Sequence, residues 1–305
     1  MAKPVWPGIL DLRTYDGGMS CDWLLVDGSS LIFRAYYGVP KSVRSPDGRE
    51  VNAARGFLET LTRLLGMRDP RHIAVAADAD WRPEWRVALI PGYKAHRVEE
   101  PIPPGLIPQM PVIDDFLAAI GIDEQGVPDY EAEDVIATWA ARASGSVEIV
   151  SGDRDLFGVI EDPRVTVLYP EKGGWTVVDE AEVTRRYSIP GRRYADFAML
   201  RGDPSDGLPG LKGVGAVAAA SMVRAHGGIE DLLKAGRVKD ADREYLERAM
   251  RVVRPVEDLP IQLPQGARAT YPADAERLAA LVERHGLQAA STRLVEALNE
   301  HLGSS

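Results

Sequence analysis

The feature that most constrains the fold of this chain is a repeated pattern in which a short apolar run ends at aspartate. Three such runs are WLLV, HIAVAA and VEIV; Asp27 follows the first, Asp78 the second, and Asp153 and Asp155 follow the third. Apolar runs of this length are typical of buried strands. Because helical patterns separate these runs, the sequence predicts an α/β fold with a mostly parallel sheet flanked by helices.

Helices are predicted between these strands. The first covers NAARGFLETLTRLLG with Asn52 as its N-cap, the second covers VIDDFLAAIG, and the third lies in GVPDYEAEDVIATWAARAS with Asp129 as its N-cap. The apolar face of the first helix is expected to comprise Phe57, Leu61, Leu64 and Leu65. Asp27 and Gly28 are expected to form a turn after the first strand. Later in the chain, VTVLYPEKGGWTVV has the pattern of a hairpin with a Lys-Gly-Gly turn.

The strand signal fades beyond about residue 180. The remainder is predicted as helices separated by glycines and prolines: AEVTRRY, YADFAML, GAVAAASMVRAH, DREYLERAMRVV, DAERLAALVERHG and STRLVEALNEHL. We therefore expect a boundary near residue 180 between an α/β part and a helical part. Residues 1–20 contain two prolines and no long apolar run, so no signal peptide is predicted there and no role is assigned.

Composition restricts the class of protein. The formal net charge of −10 taken alone argues against nucleic acid, whose binders usually present a basic face. However, acidic side chains gathered at a metal site do not face DNA as bare charges, so their distribution matters more than their sum. The single cysteine, Cys21, excludes an internal disulfide and a cysteine-based zinc site. No apolar stretch approaches the roughly 18 residues of a membrane helix, so we expect no membrane association and a cytoplasmic location.

Acidic residues are concentrated where a ligand of this fold would bind. In open parallel sheets, ligands bind beyond the carboxyl ends of the strands, so the four aspartates should converge there. The first turn of the predicted 130s helix adds three acids, of which Glu131 and Asp134 can share a face, and GDPSDG adds two. The full set of candidate metal ligands is Asp27, Asp78, Glu131, Glu133, Asp134, Asp153, Asp155, Asp203 and Asp206. An ordinary alternative stays open, because such residues commonly serve as turn residues, helix caps or dipole compensation.

So many carboxylates in one place indicate a metal site. Gathered carboxylates cannot all stay ionised without cations. Oxygen ligands without histidine or cysteine favour Mg²⁺ or Mn²⁺ over zinc. More than four carboxylates indicate two or more ions, which in such sites lie roughly 4 Å apart and cleave phosphodiesters. Phosphoryl chemistry is therefore the leading hypothesis.

A basic and aromatic segment, WRPEWRVALIPGYKAHR, follows the second predicted strand. Three aromatic residues alternate with its charges and offer stacking surfaces beside phosphate contacts. Its basic residues are Arg82, Arg86, Lys94 and Arg97, and its aromatic residues are Trp81, Trp85 and Tyr93. The segment is expected to lie over the acidic site, although an amphipathic surface loop is an equally ordinary interpretation.

The glycines of GLKGVGAVAAASMVRAH permit two interpretations. A lone Gly-x-Gly before a helix is a weak signal and is compatible with a simple helix start. A dinucleotide-binding motif is excluded, because no strand precedes these glycines. The alternative is a turn of the helix-hairpin-helix type, whose backbone N–H groups hold a DNA phosphate without reading sequence.

Six stretches match one known family in the family's own order: LLVDGSSLIFRAYYG, AADA, GYKAHR, PDYEAEDVIATWA, VSGDRDL and GDPSDGLPGLKGVG. On these stretches, which span about residues 22–226, the chain resembles the bacterial 5′→3′ exonuclease and flap endonuclease family. This family includes the N-terminal nuclease domain of DNA polymerase I. The C-terminal helical third fits the family in character rather than by motif.

The resemblance implies an architecture. Residues 21–180 would form a PIN-like α/β catalytic domain, with a helical arch or clamp at about 80–110. Residues 181–305 would form a helical DNA-binding domain, with a helix–three-turn–helix element of the helix-hairpin-helix type at about 200–230. Residues 1–20 would then be an N-terminal extension.

The resemblance also implies roles for individual residues. Those expected around a first metal ion are Asp27, Asp78, Glu131 and Glu133, with Asp134 close by, and those around a second are Asp153, Asp155, Asp203 and Asp206. Lys94 matches the family's active-site lysine and Arg97 its neighbouring arginine, and Arg86 would help to steer the scissile phosphate. The residues expected to contact DNA are Lys212, Gly213 and Gly215 of the phosphate-binding turn, and Arg82 and Tyr93 of the basic segment.

Three positions depart from the family's usual pattern. Glu133 stands where relatives commonly have Asp, and it is one methylene longer. Gly207 replaces a frequent Asn, which is expected to loosen the loop that carries Asp206. Ala218 stands where Thr is common, which removes a hydroxyl from the turn where relatives hold K⁺. K⁺ is therefore a further candidate ion, beside Mg²⁺ or Mn²⁺ at the acidic site.

The function implied is a structure-specific 5′ nuclease that hydrolyses phosphodiester bonds at 5′ flaps and recessed 5′ ends of duplex DNA. RNA–DNA primer junctions are further expected substrates, replication and repair the expected settings, and a nucleoid-associated monomer the expected form. Two alternatives stay open. A PIN-type ribonuclease would share the acidic sheet but rarely has the GDPSDGLPGLKGVG element. A non-catalytic relative that binds DNA junctions would have lost carboxylates, whereas all nine are present here.

Overall fold

The structure, a computed structural model, describes residues 20–99, 101–236 and 238–302. Within these ranges six strands form one sheet. They are β1 (Trp23–Asp27), β2 (His72–Ala76), β3 (Asp123–Gln125), β4 (Val147–Val150), β5 (Val165–Glu171) and β6 (Gly174–Val178). The N-terminal extension predicted for residues 1–20 lies outside the described residues except for Ser20.

Helices surround this sheet. In chain order the described α-helices are α1 (Gly28–Gly38), α2 (Asn52–Arg68), α3 (Glu84–Leu89), α4 (His96–Glu99), α5 (Met110–Ile120), α6 (Ala132–Arg142), α7 (Glu180–Tyr187), α8 (Tyr194–Arg201), α9 (Ala216–His226), α10 (Ile229–Lys234), α11 (Asp240–Val253), α12 (Ala275–His285) and α13 (Gln288–His301). Short 3-10 helices cover Ile107–Gln109, Asp155–Val159 and Gly191–Arg193. None of the helices in the described ranges has the length and apolar character needed to cross a membrane.

The sheet has the order β3-β2-β1-β4-β5-β6, and all neighbouring strands are parallel except β5 and β6. This confirms the predicted α/β class and the predicted hairpin, in which Lys172 and Gly173 connect the paired residues Glu171 and Gly174. From β1 the next strands along the chain, β2 and β3, lie on one side of the sheet, and from β4 the next strands, β5 and β6, lie on the other side. The order therefore reverses between β1 and β4, which is where ligands of such sheets bind.

Two apolar clusters cover the two faces of the sheet. Leu25 of β1 belongs to one cluster, whereas Leu24 and Val26 belong to the other, as strand alternation requires. Helices α8, α9 and α11 contribute to the first cluster, and α12 and α13 contribute to the second, where α13 packs on α2. Helices from beyond residue 180 thus complete the core on both faces; the boundary near residue 180 itself stays a prediction.

Two expected turn and cap assignments near the first helices are wrong. No turn separates β1 from α1, because Asp27 is itself the N-cap and accepts a hydrogen bond from the Ser30 N–H. Asn52 does not cap α2, whose N-cap is Val51. The Asn52 amide instead donates to the carbonyl of Tyr36, so it ties α2 to α1. Phe57, Leu61, Leu64 and Leu65 are all buried, as predicted for the apolar face of α2.

Two further differences lie near the site. The N-cap of α6 is Glu131 and not Asp129, because Glu131 and Asp134 form a reciprocal capping box that Asp129 is too far upstream to make. The edge strand β3 was not predicted, because its three residues, Asp-Glu-Gln, have neither apolar character nor alternation. Its pairing with β2 holds it in place.

Candidate active site

The carboxyl ends of the central strands position the first two acidic residues. Asp27, at the end of β1, is buried and accepts hydrogen bonds from the Ser30 N–H at 2.9 Å and from Ser151 Oγ at 2.5 Å. Asp78, two residues beyond β2, accepts a hydrogen bond from the Ala132 N–H at 2.7 Å. These bonds tie both strand ends to β4 and to the first turn of α6, so the carboxylates face a common space.

Three carboxylates form a compact group in this space. Glu133, Asp153 and Asp155 each offer one oxygen atom, and these atoms all lie within 4.8 Å of one another. The Asp155 N–H donates to Asp153 Oδ1 at 2.9 Å, which turns the two side chains of the short loop inward. Glu133 Oε1 is buried and accepts no hydrogen bond, although Arg86 Nη1 lies 3.2 Å away. An all-oxygen group with an unsatisfied buried acceptor fits a hard divalent cation.

The pKa values of these carboxyl groups are displaced upward. Burial, together with the charge of Asp78, raises the pKa of Asp27 to about 7. Burial raises the pKa of Glu133 and of Asp155 well above the usual range, and at Asp155 the Asp206 carboxylate adds to it. The cluster therefore holds more acid than the protein's own cations balance, and the acidic residues can hold metal ions.

Glu131 has a different environment from the other acids. Both of its oxygens accept hydrogen bonds: Oε1 from Lys94 Nζ at 2.6 Å and Arg97 Nη1 at 3.1 Å, and Oε2 from Arg86 Nη1 and from the Tyr93 hydroxyl at 2.6 Å. Burial alone would raise the pKa of this carboxyl, but Lys94 and Arg86 outweigh burial and lower it. Glu131 therefore anchors the base of the predicted arch to α6.

Arg86 is fully buried against the acidic residues of α6 and its N-cap. Its side chain has no solvent exposure, and its guanidinium contacts Glu131, Glu133 and Asp134. These neighbouring carboxylates outweigh burial and raise its pKa. We expected Arg86 to steer the scissile phosphate, but the structure places it where it orients carboxylates. Its contact with phosphate stays a prediction.

Lys94 is held between the two parts of the site. Its Nζ atom lies 2.6 Å from Glu131 Oε1 and 3.9 Å from Asp206 Oδ1, and its backbone N–H donates to the Asp206 carbonyl at 3.0 Å. Burial lowers the pKa of the Lys94 ammonium, but Tyr93 and the surrounding carboxylates outweigh burial and raise it well above its usual value. The ammonium is therefore a permanent positive charge at the edge of the acidic cluster.

The loop that carries Asp206 is not loosened by Gly207, contrary to our expectation. Gly207 has a φ of +69°, and a Cβ atom built there would lie 1.8 Å from the Gly92 carbonyl oxygen. A glycine is thus required for the loop to pack against the Gly92–Lys94 segment. This packing allows the hydrogen bond between the Lys94 N–H and Asp206.

Gly207→Ala is expected to lower the free energy of unfolding by about 3 kcal/mol, because the strained φ and the contact with Gly92 add together. Gly48→Ala is the matched control: Gly48 has a φ of +86° but open space around its Cβ position, so the cost there is only about 1–2 kcal/mol. Urea denaturation of both variants measures the difference. Equal losses would show that the contact with Gly92 is dispensable.

Asp203 lies in the same loop but has its own partners. Its Oδ1 accepts a hydrogen bond from the Ser205 N–H at 3.0 Å, and its Oδ2 lies 3.1 Å from Arg201 Nη2 and 3.6 Å from Arg154 Nη2. Asp203 thus shapes the loop, while Asp206 approaches Lys94. A metal contact by Asp203 stays a prediction.

Two residues expected to contact DNA are engaged elsewhere. Tyr93 is buried and donates its hydroxyl to Glu131, so its ring is not on the surface that stacking on a base requires. Arg82 donates from Nε to the Tyr93 carbonyl at 2.6 Å and from Nη2 to the Pro91 carbonyl at 3.0 Å. Both residues therefore brace the chain that presents Lys94.

Comparison with known proteins decides between the possible phosphoryl-transfer families. The sequence model described as "5'-3' exonuclease, N-terminal resolvase-like domain" matches residues 22–188, which is more than half of the chain. The chain belongs to the 5′-3′ exonuclease family. The resemblance inferred from six motifs is thereby confirmed, and the protein is a nuclease.

Three relatives illustrate how far this likeness extends. A 5′-3′ exonuclease of Streptomyces coelicolor is 46% identical over 299 residues, covering 90% of this chain and 99% of the relative. A 5′-3′ exonuclease of Mycobacterium tuberculosis is 41% identical over 309 residues, covering 90% and 97%. The bacteriophage T5 flap endonuclease, solved with DNA and metal ions, superimposes with a TM-score of 0.62 at 15% identity, covering 91% and 99%. The likeness to the last shows the fold, a PIN-like nuclease sheet with a helical C-terminal region.

In this exonuclease-family protein, the predicted phosphate-binding turn lies on the surface. Lys212, Gly213 and Gly215 are exposed, and Gly213 has a φ of +81° that favours glycine. Gly215 has an ordinary φ of −87° and open space around its Cβ position, so the fold itself does not demand a glycine there. Val217 beside it is 85% exposed. An exposed helix start with no side chain at its cap is accessible to a bulky ligand.

Sequence reasoning missed one supporting residue of this site. Ser151 is fully buried just after β4, and its hydroxyl donates a hydrogen bond to Asp27. The same hydroxyl accepts a hydrogen bond from the Asp153 N–H at 2.9 Å, which orders the following loop. Its signal was a hydroxyl residue between a buried strand and an acidic pair in VSGDRDL. A residue in that place links the two strand-end aspartates.

Proposed function

We propose that this protein is a structure-specific 5′ nuclease that cleaves phosphodiester bonds at 5′ flaps and recessed 5′ ends of duplex DNA. The observation that carries the proposal is the carboxylate group of Glu133, Asp153 and Asp155 at the reversal point of the sheet, with the Lys94 ammonium 3.9 Å from the neighbouring Asp206 carboxylate. A cluster of acids beside a fixed cation suits a reaction on phosphate.

Divalent ions are the cofactors that this cluster fits best, and we propose Mg²⁺ or Mn²⁺. Glu133, Asp153 and Asp155 would hold one ion, a grouping that differs from the one implied by the family resemblance, and Asp27, Asp78 and Asp206 are proposed to contribute to a second. Bound ions of this kind supply an activated water and stabilise the charge that develops on the leaving 3′ oxygen. The residues of the chain have to place the scissile phosphate within reach of these ions.

Lys94 and Arg97 are proposed to place and stabilise the phosphate. Arg97 is partly exposed, stacks over the Trp81 ring with its guanidinium 4.4 Å from the ring centroid, and contacts Glu131. Lys94 has a charge that burial does not remove. Two cations on one side of an acidic cluster offset the negative charge of the transition state where water is excluded.

The exposed turn of Lys212, Gly213 and Gly215 is proposed to hold the duplex. Backbone N–H groups at the start of α9 can donate to a phosphate, and Lys212 adds a charge. K⁺ binding in this turn would lack the hydroxyl that Ala218 replaces, so carbonyl oxygens and water would have to complete its shell. We propose that the protein acts as a monomer on the DNA of the nucleoid, on primer junctions in replication and on flaps in repair.

The proposed function is tested by cleavage of a labelled 5′-flap duplex with Mg²⁺ or Mn²⁺ and with EDTA. We expect metal-dependent products near the junction, and slower cleavage of a blunt duplex of the same sequence. Single-stranded RNA is the comparison substrate: preferential cleavage of it would instead support a PIN-type ribonuclease. Binding of the flap duplex without cleavage under any metal would support a non-catalytic junction-binding protein.

Lys212→Ala is expected to weaken binding to duplex DNA to the same extent for different sequences. It should also reduce the slope of log K against log salt by about 0.9, because one phosphate contact is lost. Lys234→Ala is the control, since this exposed lysine at the end of α10 pairs with Asp231. Fluorescence anisotropy across a salt series measures both slopes. A change that depends on DNA sequence would contradict the assignment of this turn to phosphate.

A further inference from the structure

We propose that Asp134 is a positioning residue, which fixes Arg86 and the first turn of α6, and that it is not a ligand of the metal ions. The inference rests on the proposed function, because it concerns how the acidic residues of that site divide their work. It departs from the expectation that Asp134 is one of the candidate metal ligands.

The oxygens of Asp134 are already occupied by the protein. The side chain is fully buried; Oδ1 accepts hydrogen bonds from Arg86 Nη2 at 2.7 Å and from the Val256 N–H at 2.8 Å, and Oδ2 accepts one from the Glu131 N–H at 3.1 Å. Asp134 is also absent from the group of oxygens formed by Glu133, Asp153 and Asp155. To turn toward that group, the Asp134 carboxylate would have to break bonds to buried donors, which is costly.

Arg86 links Asp134 to the carboxylates of Glu131 and Glu133. One end of its guanidinium, Nη2, is bound by Asp134, and the other, Nη1, contacts Glu131 Oε2 and lies 3.2 Å from Glu133 Oε1. A guanidinium is planar and rigid, so fixing one nitrogen fixes the direction in which the other points. Asp134 therefore sets the orientation of the Glu131 and Glu133 carboxylates, although its own oxygens do not contact them.

The hydrogen bond from the Val256 N–H connects Asp134 to the helical part of the protein. Residues 254–262, here called the strap, leave the end of α11 and run along α6. Thr138 on α6 donates to the Val256 carbonyl at 3.0 Å, and Arg142 donates to the Leu259 carbonyl at 2.7 Å. Asp134 is the strap contact nearest to the active site, because it lies in the first turn of α6.

Helix α11 in turn contacts the loop before the phosphate-binding turn. The Tyr245 hydroxyl on α11 donates to the Met199 carbonyl at 3.1 Å and accepts a hydrogen bond from the Gly210 N–H at 3.2 Å. Gly210 precedes Lys212 by two residues. Helix α11 and the strap thus connect the proposed duplex-binding turn to the site of Arg86. The hydrogen bond from Val256 to Asp134 completes that connection.

A ligand and a positioning residue respond differently to Asp134→Asn. An asparagine keeps a carbonyl oxygen for Val256, but it loses the charge that faces Arg86, and its amide nitrogen cannot accept from the Glu131 N–H. We expect the single-turnover rate at saturating DNA and Mn²⁺ to fall by about 10- to 100-fold, as is typical for residues that orient ligands. The dissociation constant for DNA should not change.

The deciding measurement is the number of Mn²⁺ ions bound at saturation by the DNA-free full chain, counted by electron paramagnetic resonance. We expect Asp134→Asn to bind as many ions as the wild type and Asp155→Asn to bind fewer. Loss of an ion in Asp134→Asn would overturn the proposal. This count does not depend on nuclease activity, so it stays decisive even if no flap is cleaved.

A second comparison uses Arg86→Met as the background. If Asp134 acts through Arg86, adding Asp134→Asn to Arg86→Met should lower the rate no further, because the shared path is already broken. Equal further losses in both backgrounds would overturn the proposal. So would an Asp134→Asn variant with a lowered melting temperature and an unchanged rate, since that result describes a purely structural residue.

Discussion

Asp155→Asn is expected to lower the rate of metal-dependent cleavage by roughly 10²- to 10³-fold, the range found when a single group that stabilises transition-state charge is removed. Asp155 is buried, and one of its oxygens lies within 4.8 Å of oxygens of Glu133 and Asp153. Asparagine has the same size, but it is neutral and can present an amide N–H where a cation would lie. The loss should therefore affect chemistry and not folding.

The measurement is the single-turnover rate on a 5′-flap duplex with Mn²⁺, together with the dissociation constant for the same DNA. Asp115→Asn is the matched control, because Asp115 is an exposed residue of α5 that pairs with Arg277. We expect wild-type rates for the control and near-wild-type DNA binding for both variants. Cleavage by Asp155→Asn at the wild-type rate would falsify the assignment of this cluster to catalysis.

Arg86→Met is expected to lower the free energy of unfolding of the metal-free protein by about 3–5 kcal/mol, because it leaves buried carboxylates without their counter-charge. Arg86 has no solvent exposure and contacts Glu131, Glu133 and Asp134. Methionine fills much of the same volume, so the loss of charge and not a cavity dominates the effect. Added Mn²⁺ should restore part of the stability, since it replaces some of the missing positive charge.

Chemical denaturation with and without Mn²⁺ measures this effect. Arg55→Met is the control: Arg55 is a half-exposed residue of α2 that pairs with Glu59 at 3.0 Å, four residues on. Such a surface pair contributes about 0.3–0.5 kcal/mol. If Arg86→Met cost no more than the control, Arg86 would not be the group that balances the buried acids.

Much of the site could be predicted from the sequence because parallel strands bring their carboxyl ends together. Asp27, Asp78 and Asp153 follow three apolar runs, and that alone places them at one edge of a sheet. The proximity of Glu131 and Asp134 followed from their separation of three residues, although the structure realises it as a capping box and not as a shared helix face. These conclusions rest on spacing, which the fold preserves.

The rest depends on contacts between distant parts of the chain. Glu131 and Glu133 look equivalent in the sequence, yet Glu131 lies at the N-cap among four donors, whereas Glu133, two residues on, faces Asp153 and Asp155. The reason for Gly207 is the Gly92 carbonyl, 115 positions earlier in the numbering, so no local pattern predicts it. The burial of Tyr93 and Arg86 likewise depends on where α6 packs.

The packing of α13 on α2 limits how this nuclease can be shortened. Leu294, Leu298 and Leu302 are buried in the cluster that also contains Leu61 and Phe57 of α2. A fragment that ended soon after the phosphate-binding turn would keep every catalytic and DNA-binding candidate but would expose that apolar face to water. Anyone who trims or fuses this protein should therefore treat its last helix as part of the catalytic scaffold and attach a tag beyond residue 302.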